Sequence, residues 1–438
     1  MNNRADPMLA DPLKTPLQDL DVSDPRRFEQ DCWQPLFKRL REESPVHFQA
    51  ESPAGPFWSI TRFDDIVEVE KNTEVFSSEP TIAIIDPPPE RRSRMFIAMD
   101  QPEHDIQRRA VQPVVAPKNL QEFEALIRQR TAEALDALPE GETFDWVELV
   151  SRNLTTQMLA TLFDFPWDIR HKLSDWSDAV TSDERMTAGQ GLKQEDRLEI
   201  VMEILEVFTR LWHERVGDDV ESFDLIRLLQ RDENTANMVD DPMNYIGNLM
   251  LLIVGGNDTT RNSMSGGVLF LNEFPEEFAR VKADRSLIPS MVSEIIRFQT
   301  PLSHMRRTVT RDTEFRGQHM KAGDKVILWY CSANRDESVI PKPETFHIDR
   351  SGVRNHAAFG FGIHRCMGNR LAEMQLRVVW EEALKRFGDI RIVEPPTRLG
   401  SRSNTTKPPC HRLSYAAHGI QYLASPCGAY ETVASGTG

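Results

Sequence analysis

Most of this 438-residue chain reads as α-helix, with strands confined to short pieces. Three stretches carry that reading. Met243 to Phe274 is a helical run about 48 Å long at 1.5 Å per residue. Asn369 to Phe387 places Leu371, Met374, Val378 and Leu384 near helical spacing. Asn119 to about Arg215 does the same through Phe123, Leu126, Ile127 and Leu135, then around Leu154, Met158 and Leu162.

The formal charge of −16 argues against a nucleic-acid partner and against an anionic membrane surface. No run of 18 or more apolar residues occurs, and the start MNNRADPMLADPLKTP has no apolar signal core. A cytoplasmic protein is expected. The five cysteines (Cys32, Cys331, Cys366, Cys410 and Cys427) are scattered and odd in number, which argues against a disulfide framework.

Taken in order, residues 1–25 are polar and proline-rich, an arm expected to lie over the surface. Pro25 to Glu43 reads as a first helix. Pro45–Phe48 and Phe57–Thr61 alternate like two strands around the turn Pro53-Ala54-Gly55-Pro56. Asp64 to Lys71 returns to helix. Residues 78–92 hold four prolines around the apolar patch Ile82 to Ile85, so a structured loop is expected. That loop is either a wall of a binding pocket or an anchor in the core.

Asp100-Gln101-Pro102-Glu103 opens another helix, with Pro102 near its first turn. His104 and Arg108, at i and i+4, share a face and can grip one carboxylate. Thr181 to Arg197 interrupts the next helical region with polar residues and two glycines, Gly189 and Gly191.

The long run then breaks its own rules. Gly255 and Gly256 each cost about 1 kcal/mol against alanine in mid-helix. Asp258, Thr259 and Thr260 follow in a segment that otherwise reads as buried. Such local conflict is where function is expected. Glu294 and Arg297 share a face of the next helix, and Pro301 to Arg307 leaves it as an extended segment.

Phe359-Gly360-Phe361-Gly362-Ile363-His364-Arg365-Cys366-Met367-Gly368 is a glycine-rich loop presenting one cysteine just before a helix N-terminus, where a thiolate is favoured. One thiolate cannot build a four-cysteine zinc or iron–sulfur site, but it can be the sole protein ligand of a haem iron. The plainer reading is a free buried cysteine.

This loop resembles the cysteine loop of the cytochrome P450 family, Phe-Gly-x-Gly-x-His/Arg-x-Cys-x-Gly, at every position. Gly255-Gly256-Asn257-Asp258-Thr259-Thr260 likewise resembles the family's Ala/Gly-Gly-x-Asp/Glu-Thr-Thr/Ser pattern. The resemblance implies a mainly α fold, about a dozen helices with small β-sheets around a buried haem b. One domain over 26–395 is then expected, with the arm before it.

The resemblance also implies roles. Cys366 would be the axial ligand of the iron. His104, Arg108, Arg307, Phe359 and His364 would contact the haem, with Arg306 one register step away from Arg307 as the alternative. Asp258 would relay protons, and Thr259 would hold a water and donate a hydrogen bond to bound oxygen, in space opened by loosening the helix at its glycines. Glu294, Arg297 and Arg350 would form a scaffold behind the loop. The 181–197 interruption would be a lid over the substrate channel.

Gly256 to Ser263, with Gln299 to Arg307, resembles family 153, whose members hydroxylate the terminal carbon of medium-chain alkanes and related chains. Ile84, Ile85, Val254, Gly255, Leu302 and Met305 are the expected pocket lining. The expected activity is R–H + O2 + 2 e− + 2 H+ giving R–OH + H2O. No flavin or NAD fingerprint occurs, so NAD(P)H would act only through a reductase and a [2Fe–2S] ferredoxin docking near Arg109, Arg365 and Arg370. A monomer is expected. A fatty-acid omega-hydroxylase, a peroxide-driven peroxygenase and a non-catalytic haem-thiolate sensor are the alternatives.

After Glu394 the resemblance stops. The tail, residues 396–438, shows little alternation and, from residue 401 on, one acid, Glu431, against Arg402, Lys407 and Arg412. It is expected to be foreign to the fold, from a reading-frame shift or vector-derived sequence.

Overall fold

The run from Met243 to Phe274 is a single helix, Pro242–Glu273, and the rest of the fold packs around it. The structure, a computed structural model, describes residues 9–396 except 88–91, 93, 140–141, 183–190, 219, 221 and 395, together with the backbone of Ile420–Gln421. Pro242 opens the long helix, and the Asp241 side chain caps it by accepting from the Asn244 N–H at 3.3 Å. Its side chains are buried on nearly every face from Tyr245 to Leu271, as a central helix requires. Helices Asn153–Phe163, His171–Thr181, Ile288–Gln299 and Asn369–Arg386 pack against it.

The fold is mainly α, with fourteen α-helices and three small sheets among the described residues. The largest sheet runs Val46–Gln49, Phe57–Ile60, Lys325–Leu328, Met305–Val309, Phe76–Ser77. Phe57–Ile60 and Lys325–Leu328 are parallel, and the other neighbours antiparallel. Ile420–Gln421 pairs between Thr143–Phe144 and Arg391–Ile392; the rest of the tail beyond residue 396 lies outside the described residues. No helix among the described residues is long and apolar enough to cross a membrane.

Three expectations are corrected. Pro25 to Glu43 is two helices, Pro25–Glu29 and Gln34–Glu43, parted where Asp31 takes φ 51°. Pro35 sits in the first turn of the second, the place a residue without an N–H is tolerated. The arm is not merely laid on the surface: Leu20 and Val22 are fully buried in a cluster with Phe28, Trp33, Phe37 and Trp329. The 119–215 region divides into Pro117–Asp136, Asn153–Phe163, His171–Thr181 and Gln194–Glu214, with breaks beside Pro139 and Pro166. The centre of the 181–197 interruption lies outside the described residues.

Candidate active site

Cys366 sits where two elements meet end to end. The Phe359–Gly368 loop crosses the C-terminal end of helix Phe63–Lys71 and feeds helix Asn369–Arg386. Gly362 adopts φ 63°, and a Cβ there would lie 2.4 Å from the Glu70 carbonyl oxygen, so only glycine fits. The Cys366 N–H donates to the Phe359 carbonyl at 2.8 Å, closing the loop. The cysteine lies deep, yet its side chain is open on one side. Burial pushes its thiol up, against the Gly368 N–H and the Arg108 and Arg365 charges that pull it down. The helix-end preference for a thiolate is thus outweighed by desolvation in the protein alone.

Beside the cysteine the structure gathers buried donors from four elements. His104 and His364 stack edge to face with ring centroids 4.3 Å apart. His104 Nδ1 lies 2.8 Å from Asp105 Oδ1, and His364 Nε2 lies 2.9 Å from Ser78 Oγ. The remaining nitrogens, His104 Nε2 and His364 Nδ1, are buried without a hydrogen-bond partner, as is Arg307 Nε. Burial, then the Arg307, His104 and Arg108 charges, bring His364 down to about 2, so it is neutral at pH 7. Arg108 bonds the Arg365 carbonyl through Nη2 at 2.7 Å. Arg306 is committed elsewhere, to Asp86 at 2.6 Å, which leaves Arg307 as the arginine of this cluster.

The long helix presents Gly255 and Thr259 on an open face. It runs through them as one continuous helix. The missing side chain leaves room here: a Cβ on Gly255 would meet nothing within 4 Å. Thr259 Oγ1 donates only to the Gly255 carbonyl, at 3.2 Å. Asp258 points the other way and is fully buried. It accepts from Ser177 Oγ at 2.9 Å and pairs with Arg261 at 3.0 Å, and Arg261 continues to the partly exposed Asp178 at 2.6 Å.

Behind the loop, Glu294 takes Arg297 at 2.7 and 2.8 Å, the His347 N–H at 2.9 Å and Arg350 at 3.3 Å. The two arginines neutralise one buried carboxylate.

The cytochrome P450 family model matches residues 192–401. Linalool 8-monooxygenase of Pseudomonas putida is 34% identical over 381 residues, 84% of this chain and 92% of that protein. The chain belongs to the cytochrome P450 family. Methyl-branched lipid omega-hydroxylase of Mycobacterium tuberculosis is 30% identical over 94% of this P450 and 95% of that protein. Among solved structures, cytochrome P450-153 from Novosphingobium aromaticivorans has TM-score 0.81 and 44% identity, covering 92% of this chain and 98% of that one. CYP153D17 from a Sphingomonas species has TM-score 0.80 and 41% identity, with 93% and 99% covered.

The residues present fit the haem that a P450 carries. Cys366, open on one side at the end of its loop, offers the single thiol that a haem iron can take as its protein ligand. The partnerless His364 Nδ1 and Arg307 Nε would donate to two propionates. His104, whose Nδ1–H is taken by Asp105, would donate through Nε2 as the imidazolium that a propionate charge favours.

The pocket-lining expectation is corrected at its loop. Ile84 is fully buried among Leu20, Trp33 and Trp329, with Ile85 packed on the same cluster, so both anchor the loop in the core. Leu302 and Met305 pack with Ile82, Ala98 and Phe361 in the cluster next to the cysteine loop. The sequence reading missed Glu70, which bonds Tyr330, Arg307 and the loop N–H of Phe361. Its signal was present: an acid at the end of a helix, on the apolar face of Phe63, Ile66 and Val69.

Proposed function

We propose that this P450 hydroxylates medium-chain alkanes at the terminal carbon, taking electrons from a [2Fe–2S] ferredoxin and its NAD(P)H-dependent reductase. The observation that carries the proposal is the 44% identity, over 92% of the chain, to a family 153 structure. A further relative supports attack at a chain end, since its name specifies an omega carbon.

When bound, haem supplies an iron centre that binds and activates O2. Cys366 would offer the thiolate ligand from the loop, and His104, Arg108, Arg307 and His364 would hold the propionates. The Thr259 hydroxyl, now on a long bond to the Gly255 carbonyl, turns to donate a hydrogen bond on the open face. Protons reach it from the opposite face of the helix. Asp178, partly exposed, passes them inward past Arg261 to Asp258, which acts as the general acid. Val254, Gly255, Leu302 and Met305 form the apolar wall and exclude water.

A spectral titration of the ferric protein tests the substrate. A low-spin to high-spin shift with octane supports the alkane reading. A shift only with dodecanoic acid would replace it by fatty-acid hydroxylation, and no shift with either would remove linear chains.

A further inference from the structure

Glu70 violates several rules at once. It occupies the last turn of helix Phe63–Lys71, where the dipole disfavours a carboxylate. It is 2% exposed, and a buried acid is costly unless its oxygens are satisfied. Here they are. Oε1 accepts from the Tyr330 hydroxyl at 2.5 Å and faces Arg307 Nη2 at 3.4 Å, while Oε2 accepts from the Phe361 N–H at 2.7 Å. Three elements meet on this carboxylate: the strand carrying Arg307, helix Tyr330–Ala333, and the loop carrying Cys366. Its backbone is also in close contact, because the Glu70 carbonyl fills the space beside Gly362.

The Glu294 scaffold braces the loop from behind and touches none of the haem donors. Glu70 differs, because one carboxylate holds both a propionate arginine and the loop. We infer that Glu70 is a positioning residue for the haem. It keeps Arg307 and the Phe361 end of the cysteine loop in register. Burial pushes its carboxyl up, while Arg307, the Tyr330 hydroxyl and the Phe361 N–H favour the ionised form, whose negative charge opposes addition of an electron to the iron. The inference rests on the haem reading and not on the choice of substrate.

The test uses the full-length, haem-loaded protein. Glu70→Gln keeps the shape and removes the charge. Its reduced carbon-monoxide complex is expected to keep the thiolate spectrum while the midpoint potential moves positive. Glu70→Asp keeps the charge but falls a methylene short of the Phe361 N–H. It is expected to hold the wild-type potential and lose haem to apomyoglobin roughly tenfold faster. An unmoved potential in Glu70→Gln overturns the electrostatic role, and wild-type haem retention in Glu70→Asp overturns the positioning role. Should Glu70→Gln fail to fold, haem loss from Glu70→Asp still decides. Failure of the haem reading itself would show first in the wild type, as a missing thiolate spectrum.

Discussion

A Cβ built on Gly255 meets no atom within 4 Å, whereas one on Gly256 lies 2.7 Å from Leu159 Cδ2. Leu159 is fully buried, so it could give way only by shifting within the core. Gly255→Ala should therefore collect the helix-propensity gain of about 0.5–1 kcal/mol, read as a higher urea midpoint. Gly256→Ala should lose more to overpacking, about 1–3 kcal/mol, than it gains. The family pattern, which admits alanine at the first position only, agrees with that difference. Thr259→Ala should leave stability nearly unchanged, because its hydroxyl bonds only a carbonyl of its own helix. Its product yield per NADH should fall roughly tenfold or more, with hydrogen peroxide rising in place of alcohol. Unchanged coupling would remove Thr259 from proton delivery. At this scale the site was legible wherever a residue offends its local context within a short motif, as Cys366, Asp258 and Thr259 do. Glu70 offends its context too, as an acid on an apolar helix face, but it lies in no such motif and its partners stand 237, 260 and 291 positions away.

At the scale of elements, helix Asn369–Arg386, which leaves the cysteine loop, is tied to helix Pro117–Asp136 by a cluster of charges. Arg128 reaches Glu381 at 2.6 Å and Glu382 at 2.9 Å, and Glu382 also holds Lys385 and Arg386. Burial pushes the Glu382 carboxyl up, but Lys385, Arg128 and Arg386 outweigh it and bring it down to about 2 from 4.5. A carboxyl lowered on folding stabilises above its unfolded value and loses that contribution as pH falls toward its folded one. Glu382→Gln should thus be less stable than wild type by about 1 kcal/mol at pH 6, after allowing for solvent screening. The difference should shrink below pH 4.5, where the unfolded chain's carboxyl protonates while the folded one stays ionised until about 2, as paired urea melts would show. A constant difference would mean packing, not charge, joins the helices. The long helices were legible because periodicity and caps agree along them. Pro25 to Glu43 was misread because only Pro35 marks the break, while Asp31 turns the chain so that Phe28 stacks on both Trp33 and Trp329.

For the whole molecule, charge is the property that a redox partner meets first. The chain carries 52 basic and 68 acidic side chains, so the acidic ferredoxin proposed above would be repelled on average. Arg109, Arg365 and Arg370 are exposed on the helix Glu103–Val111, the cysteine loop and the helix Asn369–Arg386. These elements abut, since Arg108 donates to the Arg365 carbonyl. A small basic area in a negative field would both attract and orient the acidic partner proposed above, at the edge of the Cys366 loop. Reversing Arg109 and Arg365 to glutamate should slow ferredoxin-driven reduction about tenfold at low ionic strength. It should also flatten the salt dependence, because the steering charges that salt screens over a Debye length of about 10 Å at 0.1 M are gone. Stopped-flow reduction under carbon monoxide reads both quantities without any substrate. Rates and slopes equal to wild type would place the electron entry point on another face.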